Sequence, residues 1–291
     1  MHTIKKIGQT FSYITPVSLT DRPILGMVVG NDKTLMIDAG NSEDHAKYFI
    51  KKTLKHENTK PDLVLLTHWH WDHIFGLPAL LDTVSIASAK TRKEMEELLP
   101  FSWSDEAIDE RVREGTEIEF CAKAIKEEYQ DHRNIQVVLP DVTFDQRMEI
   151  ELGGVTCVVQ HIGGDHAADS VIVYVKEEKI LFLGDCIYPK MYAEKVHYTV
   201  KETLRLLDEL EAFDADTYIP LYQRPWTKEE FRQETDKLRM IVKFTDQCGG
   251  DRLKITKEYQ NDVNRELKED ELETIAYFVN GYEIITKKSL V

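Results

Sequence analysis

The sequence has no run approaching the roughly 18 consecutive apolar residues that a membrane span requires, which excludes an integral helical membrane protein. Its opening stretch, Met-His-Thr-Ile-Lys-Lys-Ile-Gly-Gln-Thr, lacks an extended apolar segment and a small-residue cleavage site, so no secretory leader is expected. Cysteine is scarce. The four present (Cys121, Cys157, Cys186, Cys248) are far apart, with no CxxC pair, and read as reduced thiols of a cytoplasmic protein. Positive charge is also in short supply: 37 Lys and Arg face 52 Asp and Glu, a net charge of −15. A surface of that sign repels phosphate backbones and anionic bilayers, so neither nucleic acid nor membrane is expected as a partner. A small-molecule substrate is expected, with homo-oligomerisation left open. No phosphate-binding GxxxxGK[ST] loop, GxSxG elbow, HExxH helix or GxGxxG turn occurs, which leaves nucleotide-dependent and serine-hydrolase chemistry without support.

What is there is globular: 42% of the 291 residues are hydrophobic and 31% charged. No repeat, low-complexity tract or Pro/Gly/Ser linker forces a boundary, so residues 1–291 are read as one domain. Strands are expected at Ile24–Val29 and Thr34–Ile37, then a helix from Ser42 to about His56, with Glu43 and Asp44 in its first turn. The apolar Asp62–Thr67 reads as a buried strand, and strand, helix, strand in that order indicate an α/β arrangement. Residues 91–130 change character to charged, helix-forming sequence broken at Pro100, Ser104 and Gly115, read as two or three inserted helices. Beyond them, Met148–Leu152 and Val155–Val159 flank Gly153-Gly154 as a hairpin, because paired glycines accept the positive φ of a tight turn. A second strand pair is expected at Val171–Val175 and Ile180–Leu183, then helices at Val200–Phe213 and Lys228–Thr245 around a strand near Tyr218-Ile219. Residues 227–291 form a helical extension, whose last helix is placed at Glu269–Asn280.

One segment dominates the chemistry: Thr67-His68-Trp69-His70-Trp71-Asp72-His73, at the end of a buried strand, where α/β proteins place their sites. In extended chain alternate side chains share a face, so His68, His70 and Asp72 converge while His73 reaches a second point nearby. Neutral imidazoles and carboxylates are ligands for Zn²⁺ and similar divalent ions. A lone histidine here would be read as an ordinary core or surface residue; three with an aspartate inside six residues are read as a metal site. Trp69 and Trp71 alternate with them and are expected to face away, as packing that fixes the loop.

This pattern, HxHxDH, resembles the signature of the metallo-β-lactamase superfamily. Further landmarks follow in order: Leu35-Met36-Ile37-Asp38-Ala39-Gly40 for the early strand and its turn, Gly163-Gly164-Asp165-His166 through Ser170-Val171 for the Gly-His segment, and Ile180–Leu183 with Gly184-Asp185. The resemblance spans about residues 10–226 and implies a four-layer αββα sandwich with a metal centre at its rim. It implies His68, His70 and His166 around a first metal, Asp185 bridging, and Asp72 with His73 at a second. His161 competes with His166 for the Gly-His role and is placed behind it. The family's last histidine falls in Tyr218-Ile219-Pro220-Leu221-Tyr222, so Tyr222 stands in its place, and no histidine follows His197. A neutral phenol with a pKa near ~10 is a poor ligand. The expectation is therefore one tightly held Zn²⁺ and a conditional second site, with Fe or Mn as alternatives.

The resemblance implies a metal-dependent hydrolase acting on an ester, thioester, lactone or amide-like bond. Asp72 would orient or deprotonate the attacking water, and Tyr222 would donate a hydrogen bond to the developing oxyanion. Two alternatives stand beside it. One is a mono-iron persulfide-dioxygenase-like oxidoreductase using His68, His166 and Asp185; the other is a catalytically impaired member acting as a binding protein. Asp38 and Asp169 are expected to orient ligands, Asp165 has no assigned role, His197 is read as ordinary, and the 91–130 insertion, with Phe101 and Trp103, is a candidate lid.

Overall fold

The computed structural model describes residues 2–54, 60–130 and 134–288. The chain begins with β1 (Ile4–Ile7), β2 (Phe11–Ile14), β3 (Gly26–Val29) and β4 (Thr34–Ile37), followed by α1 (Glu43–Thr53), β5 (Leu63–Leu65), the one-turn helix α2 (Trp71–Ile74) and β6 (Val84–Ser88). Three helices come next, α3 (Ala89–Leu98), α4 (Asp105–Glu114) and α5 (Glu119–Tyr129), and then β7 (Val142–Phe144) completes a seven-stranded sheet in sequence order. Pairing is antiparallel from β1 to β4 and parallel from β4 to β7.

A second sheet is built from β8 (Arg147–Glu151), β9 (Thr156–His161), β10 (Val171–Val175), β11 (Ile180–Gly184), then, after α6 (Val200–Glu211), β12 (Thr217–Pro220) and β13 (Trp226–Thr227). The chain closes with α7 (Lys228–Gln247), α8 (Arg252–Val263) and α9 (Glu269–Lys288).

The layers follow from strands that are apolar on both faces. In β4, Leu35 and Ile37 face the second sheet with Phe11, Val28 and Leu65, while Met36 turns to the other side and packs with Phe49 of α1, Met95 of α3 and Ile125 of α5. In β11, Ile180 and Phe182 fill the space between the sheets, and Leu181 and Leu183 pack outward against Leu206 and Leu210 of α6. Sheet faces that are both apolar must both be covered, and helix, sheet, sheet, helix is the result. The expected αββα sandwich is what the chain forms.

Local signals act as expected at most ends. Ser42 caps α1 by accepting from the His45 amide, and α7 opens with a capping box between Thr227 and Glu230. The helix expected to reach His56 is assigned as far as Thr53, and His56 lies outside the described residues. The inserted stretch makes three helices, with Gly115 ending α4 in left-handed conformation. Two differences have physical causes. Helix α8 carries only Ile255 and Tyr259 as buried residues, too thin a stripe to read from sequence. Helix α9 runs through Gly281 to Lys288, beyond the expected Asn280, because a Cβ at position 281 would lie 1.9 Å from the Tyr198 carbonyl oxygen. Glycine there permits close docking instead of ending the helix. No helix among the described residues is long and apolar enough to cross a membrane.

Candidate metal centre

The site grows from the end of β5, where the two sheets touch: the Val171 amide at the start of β10 donates to the Thr67 carbonyl. Asp38, just past β4, sits beneath. It is fully buried with φ +62°, and its carboxylate accepts from the Thr67 amide (2.7 Å), the Thr67 hydroxyl (2.9 Å) and His73 Nδ1 (2.9 Å). Holding His73 through Nδ1 directs Nε2 into the site. On the other flank, Asp169 Oδ2 accepts the Trp69 amide at 2.9 Å, which fixes the loop between His68 and His70; burial pushes this carboxyl up to about 7.

The chain bends at Trp69, His70 has φ −59° and ψ 145°, and α2 begins at Trp71. This corrects the alternation read from the sequence. Asp72 does not share the face of His68 and His70; the helical turn carries it to the His73 side, with its Oδ2 2.7 Å from His73 Nε2. Trp71 does turn away into the core, but Trp69 stays at the rim, its ring 4.6 Å from that of His70 and 5.5 Å from that of Tyr192.

Two loops complete the cluster. His166, between β9 and β10, donates from Nδ1 to the Pro189 carbonyl (3.1 Å), which leaves Nε2 facing His70 Nδ1 at 3.1 Å. Asp185, just after β11, places Oδ2 3.4 Å from His73 Nε2, 3.5 Å from His166 Nε2 and 3.9 Å from His68 Nε2. Candidate ligand atoms of His68, His70 and His166 lie within 4.8 Å of one another, and so do those of His68, His73 and Asp185. His68 Nε2 and Asp185 Oδ1 are buried without a hydrogen-bond partner among the described residues, and His73 Nε2 faces the Asp72 and Asp185 carboxylates. Buried polar atoms left unpaired are costly, and here they converge on one small space, which suits a cation.

The charge states of three of the imidazoles suit metal ligation. Burial, with neighbouring imidazoles, holds His68 and His70 well below their usual range, and burial likewise lowers His166, so all three keep free lone pairs at neutral pH. Burial opposes the charge on His73, but Asp72 and Asp38 outweigh it and raise its pKa well above the usual value. For Asp72, burial is overcome by the charge and hydrogen bond of His73, which bring it down to about 2.

Tyr222 follows β12, and its hydroxyl donates to Asp72 Oδ2. Burial and the charges of Asp72, Asp21 and Asp185 push the phenol well above its usual range, so it stays protonated. His161 lies outside the cluster: its Nε2 is 2.9 Å from the Ala168 carbonyl. Asp165 supports the backbone, accepting from the amide (2.7 Å) and hydroxyl (2.9 Å) of Thr199, the residue before α6. His197 points its Nδ1 at the Lys195 carbonyl, 2.7 Å away. Of the insertion residues, Trp103 is buried against Phe75, Phe101 is 40% exposed, and the Arg111 guanidinium lies 4.8 Å from both rings.

Three residues at the site carry no sequence signal. Tyr192 packs its ring 4.9 Å from that of His70 and donates to Glu117 of the insertion (3.0 Å). Tyr188 has its ring 6.2 Å from that of His166. Asp21 is buried, and its segment is joined to that of Tyr222 where the Ile24 amide donates to the Leu221 carbonyl (3.0 Å). Long-range folding alone brings them in; the position of Tyr188, three residues after Gly184-Asp185, is the one hint the sequence offers.

Residues 20–221 match the sequence profile of the metallo-beta-lactamase superfamily. A linear primary-alkylsulfatase from Pseudomonas sp. (strain ATCC 19151) is 22% identical over 242 residues, covering 74% of this chain and 43% of the alkylsulfatase, so the chain spans less than half of that relative. Among solved structures, a metallo-beta-lactamase from Pontibacter korlensis superimposes with a TM-score of 0.58 at 17% identity, over 81% of this chain and 98% of the other. A stereoselective inverting sec-alkylsulfatase from Pseudomonas sp. gives 0.63 at 14% identity, over 86% of this chain and 43% of its own. At such identities the likeness of the structures is one of fold.

Proposed function

The chain belongs to the metallo-beta-lactamase superfamily, and on that premise we propose that it is a metal-dependent hydrolase acting on an ester-like bond of a small molecule. The observation that carries this reading is the position of Asp185 Oδ2, within 3.9 Å of imidazole nitrogens from His68, His73 and His166. A carboxylate oxygen shared among three imidazoles is suited to bridging two ions, or to closing a site for one. His68, His70 and His166, neutral and buried, would hold the first ion; Asp72 and His73, with Asp185 between, would hold the second. Zn²⁺ is the ion best matched to the all-imidazole group, and the oxygen-rich half also suits Mn²⁺ or Fe²⁺.

A divalent ion held by these residues would supply hydroxide near neutral pH and polarise the bond under attack. The protein's part is positional. Asp72, well ionised, accepts the proton of the attacking water and is held in place by Tyr222. The single Tyr222 proton is committed to Asp72, so we assign Tyr222 to orienting that carboxylate rather than to the oxyanion. Trp69 and Tyr192 form a wall beside His70, the candidate contact for the non-reacting part of the substrate, and the insertion buttresses it through Glu117.

The alkylsulfatase relatives support adding sulfate esters to the carboxylic ester, thioester, lactone and β-lactam classes. The test is turnover of such a panel by metal-loaded protein, with Asp185→Asn and His68→Ala as controls. Hydrolysis of one class, lost in both controls, is expected; activity on none, with metal bound, would overturn the proposal. A second reading rests on His68, His166 and Asp185 as a two-histidine, one-carboxylate set for a single iron. Iron near one per chain after purification without added zinc, with persulfide-dependent oxygen uptake, would favour it.

A further inference from the structure

A further pair of histidines lies outside the centre, where the segment before β1 meets α1. His45 is the third residue of α1; its amide donates to the Ser42 hydroxyl that caps the helix (3.1 Å), and it belongs to the buried face with Ala46 and Phe49. The residue is fully buried, yet neither ring nitrogen has a hydrogen-bond partner among the described residues. Its Nδ1 edge lies against Gly40, where a Cβ would come within 2.7 Å of that nitrogen, and Nε2 occupies the opposite edge.

His2 is delivered to this ring by strand-like pairing just before β1. The Thr3 amide donates to Thr15 Oγ1 and the Thr15 amide to the Thr3 carbonyl, both at 3.0 Å. His2 Nδ1 then donates to the Thr15 carbonyl at 2.8 Å. That bond fixes the proton on Nδ1 and leaves a lone pair on Nε2, which is buried and also without a partner among the described residues. His166 of the candidate centre is held in the same way, by the Pro189 carbonyl.

The two ring centroids are 5.2 Å apart. An imidazole-bound Zn²⁺ lies about 3.2 Å from the ring centroid, so two imidazoles sharing one tetrahedral ion have centroids about 5.2 Å apart. Histidine pairs of the centre stand at 4.5 Å (His68–His70), 4.7 Å (His70–His166) and 5.3 Å (His68–His166). A core histidine with a purely structural role satisfies at least one nitrogen internally. Here three bare nitrogens fall in two rings that touch. Burial lowers both pKa values, that of His45 far below its usual range, so both rings stay neutral and keep their lone pairs at neutral pH. The positive charge nearest in sequence, Arg22, is matched by Glu128 through a two-armed pair (2.6 and 3.0 Å).

We infer that His2 and His45 form a separate two-imidazole site for Zn²⁺, tying the segment before β1 to α1. The inference is independent of the hydrolytic reading. Groups of three or more metal-ligating side chains occur, among the described residues, only in the centre, so water completes the coordination. Two imidazoles with water and no carboxylate favour Zn²⁺ over Mg²⁺, Ca²⁺ or Mn²⁺.

The test is the zinc content of the full chain, dialysed against buffers of fixed free Zn²⁺ in the low micromolar range and read by elemental analysis. His2→Ala removes a half-buried ring and is expected to hold one ion fewer than wild type. His45→Gln should lose the same ion. In a His68→Ala/Asp185→Asn background, which weakens the centre, adding His2→Ala should again remove one ion. Zn²⁺ should also raise the thermal unfolding midpoint of that background more than that of the His2→Ala version, because an ion bound only by the folded state stabilises it. Unfolding without metal checks that each variant is folded, and if the His45 or background variants are not, wild type against His2→Ala decides alone. Equal zinc content in wild type and folded His2→Ala would overturn the inference, leaving a water between the rings as their partner. A wild type whose zinc is all lost in His2→Ala would uphold this site while sinking the hydrolase proposal.

Discussion

Asp38→Asn is the sharpest probe of how the His73 side is held. The replacement keeps size and shape, and asparagine tolerates φ +62° as well as aspartate does, so backbone strain drops out of the comparison. Asp38 accepts three hydrogen bonds, one on Oδ1 from the Thr67 amide and two on Oδ2 from the Thr67 hydroxyl and His73 Nδ1. An amide keeps only one acceptor oxygen. The Thr67 amide cannot reverse its polarity, so the oxygen must stay there and the NH₂ must face the hydroxyl and His73. The hydroxyl rotates to accept; His73 can accept only by moving its proton to Nε2, the atom aimed into the site. The variant therefore puts a proton where a lone pair is needed. Loss of such a supporting carboxylate weakens metal binding by roughly 10–100-fold, which corresponds to about 1.4–2.7 kcal/mol. Chelator competition should show that loss for the His73-side ion, with the His68–His70–His166 ion retained. Equal affinity for both ions in a folded Asp38→Asn protein would refute the argument from the proton.

Other perturbations discriminate between residues close in sequence. His166→Ala should strip the tighter ion, whereas His161→Ala should leave metal content unchanged, both read by elemental analysis. Gly76→Ala places a Cβ 2.0 Å from the Ala39 carbonyl oxygen, backbone that cannot yield; a loss of about 3 kcal/mol in denaturant unfolding is expected. Glu271 is held down to about 2 from 4.5 chiefly by the Arg265 hydrogen bond. Because the folded pKa is depressed, its stabilisation is complete above about pH 4.5 and fades as pH falls toward 2. Solvent screening around the half-exposed Arg265 reduces the effect to about 1–2 kcal/mol, so Glu271→Gln should unfold at lower denaturant at pH 7 than wild type, with the gap narrowing at pH 3.5.

The sequence exposed what is local. His68, His70, Asp72 and His73 fall within one short segment, and buried strands announced themselves as apolar runs in β4, β5, β10 and β11. Residues brought in from afar stayed hidden: Asp21 lies in an ordinary Leu-Thr-Asp-Arg-Pro stretch, and Tyr192 in a charged loop. The direction of Asp72 was misjudged because a strand's alternation was carried two residues past His70, into α2. Helix α8 was missed because a stripe two residues wide gives no period. The tyrosine in place of histidine could be seen in the sequence; its hydrogen bond to Asp72 required the fold.

The docking of α9 at Gly281 carries a consequence for how this chain can be cut or grafted. Close approach at that glycine, the Asn280 amide on the Val196 carbonyl (2.9 Å) and the Tyr198 amide on the Tyr277 carbonyl (3.2 Å) clamp the stretch that runs back toward Tyr188 and Tyr192. Residues beyond the superfamily match thus form the backrest of a loop whose tyrosines face the reactive groups. Transplanting residues 20–221 alone would carry over the hearth without its chimney wall, and a molecule gripping the distant terminal helices would tug on the aromatic ring beside His70.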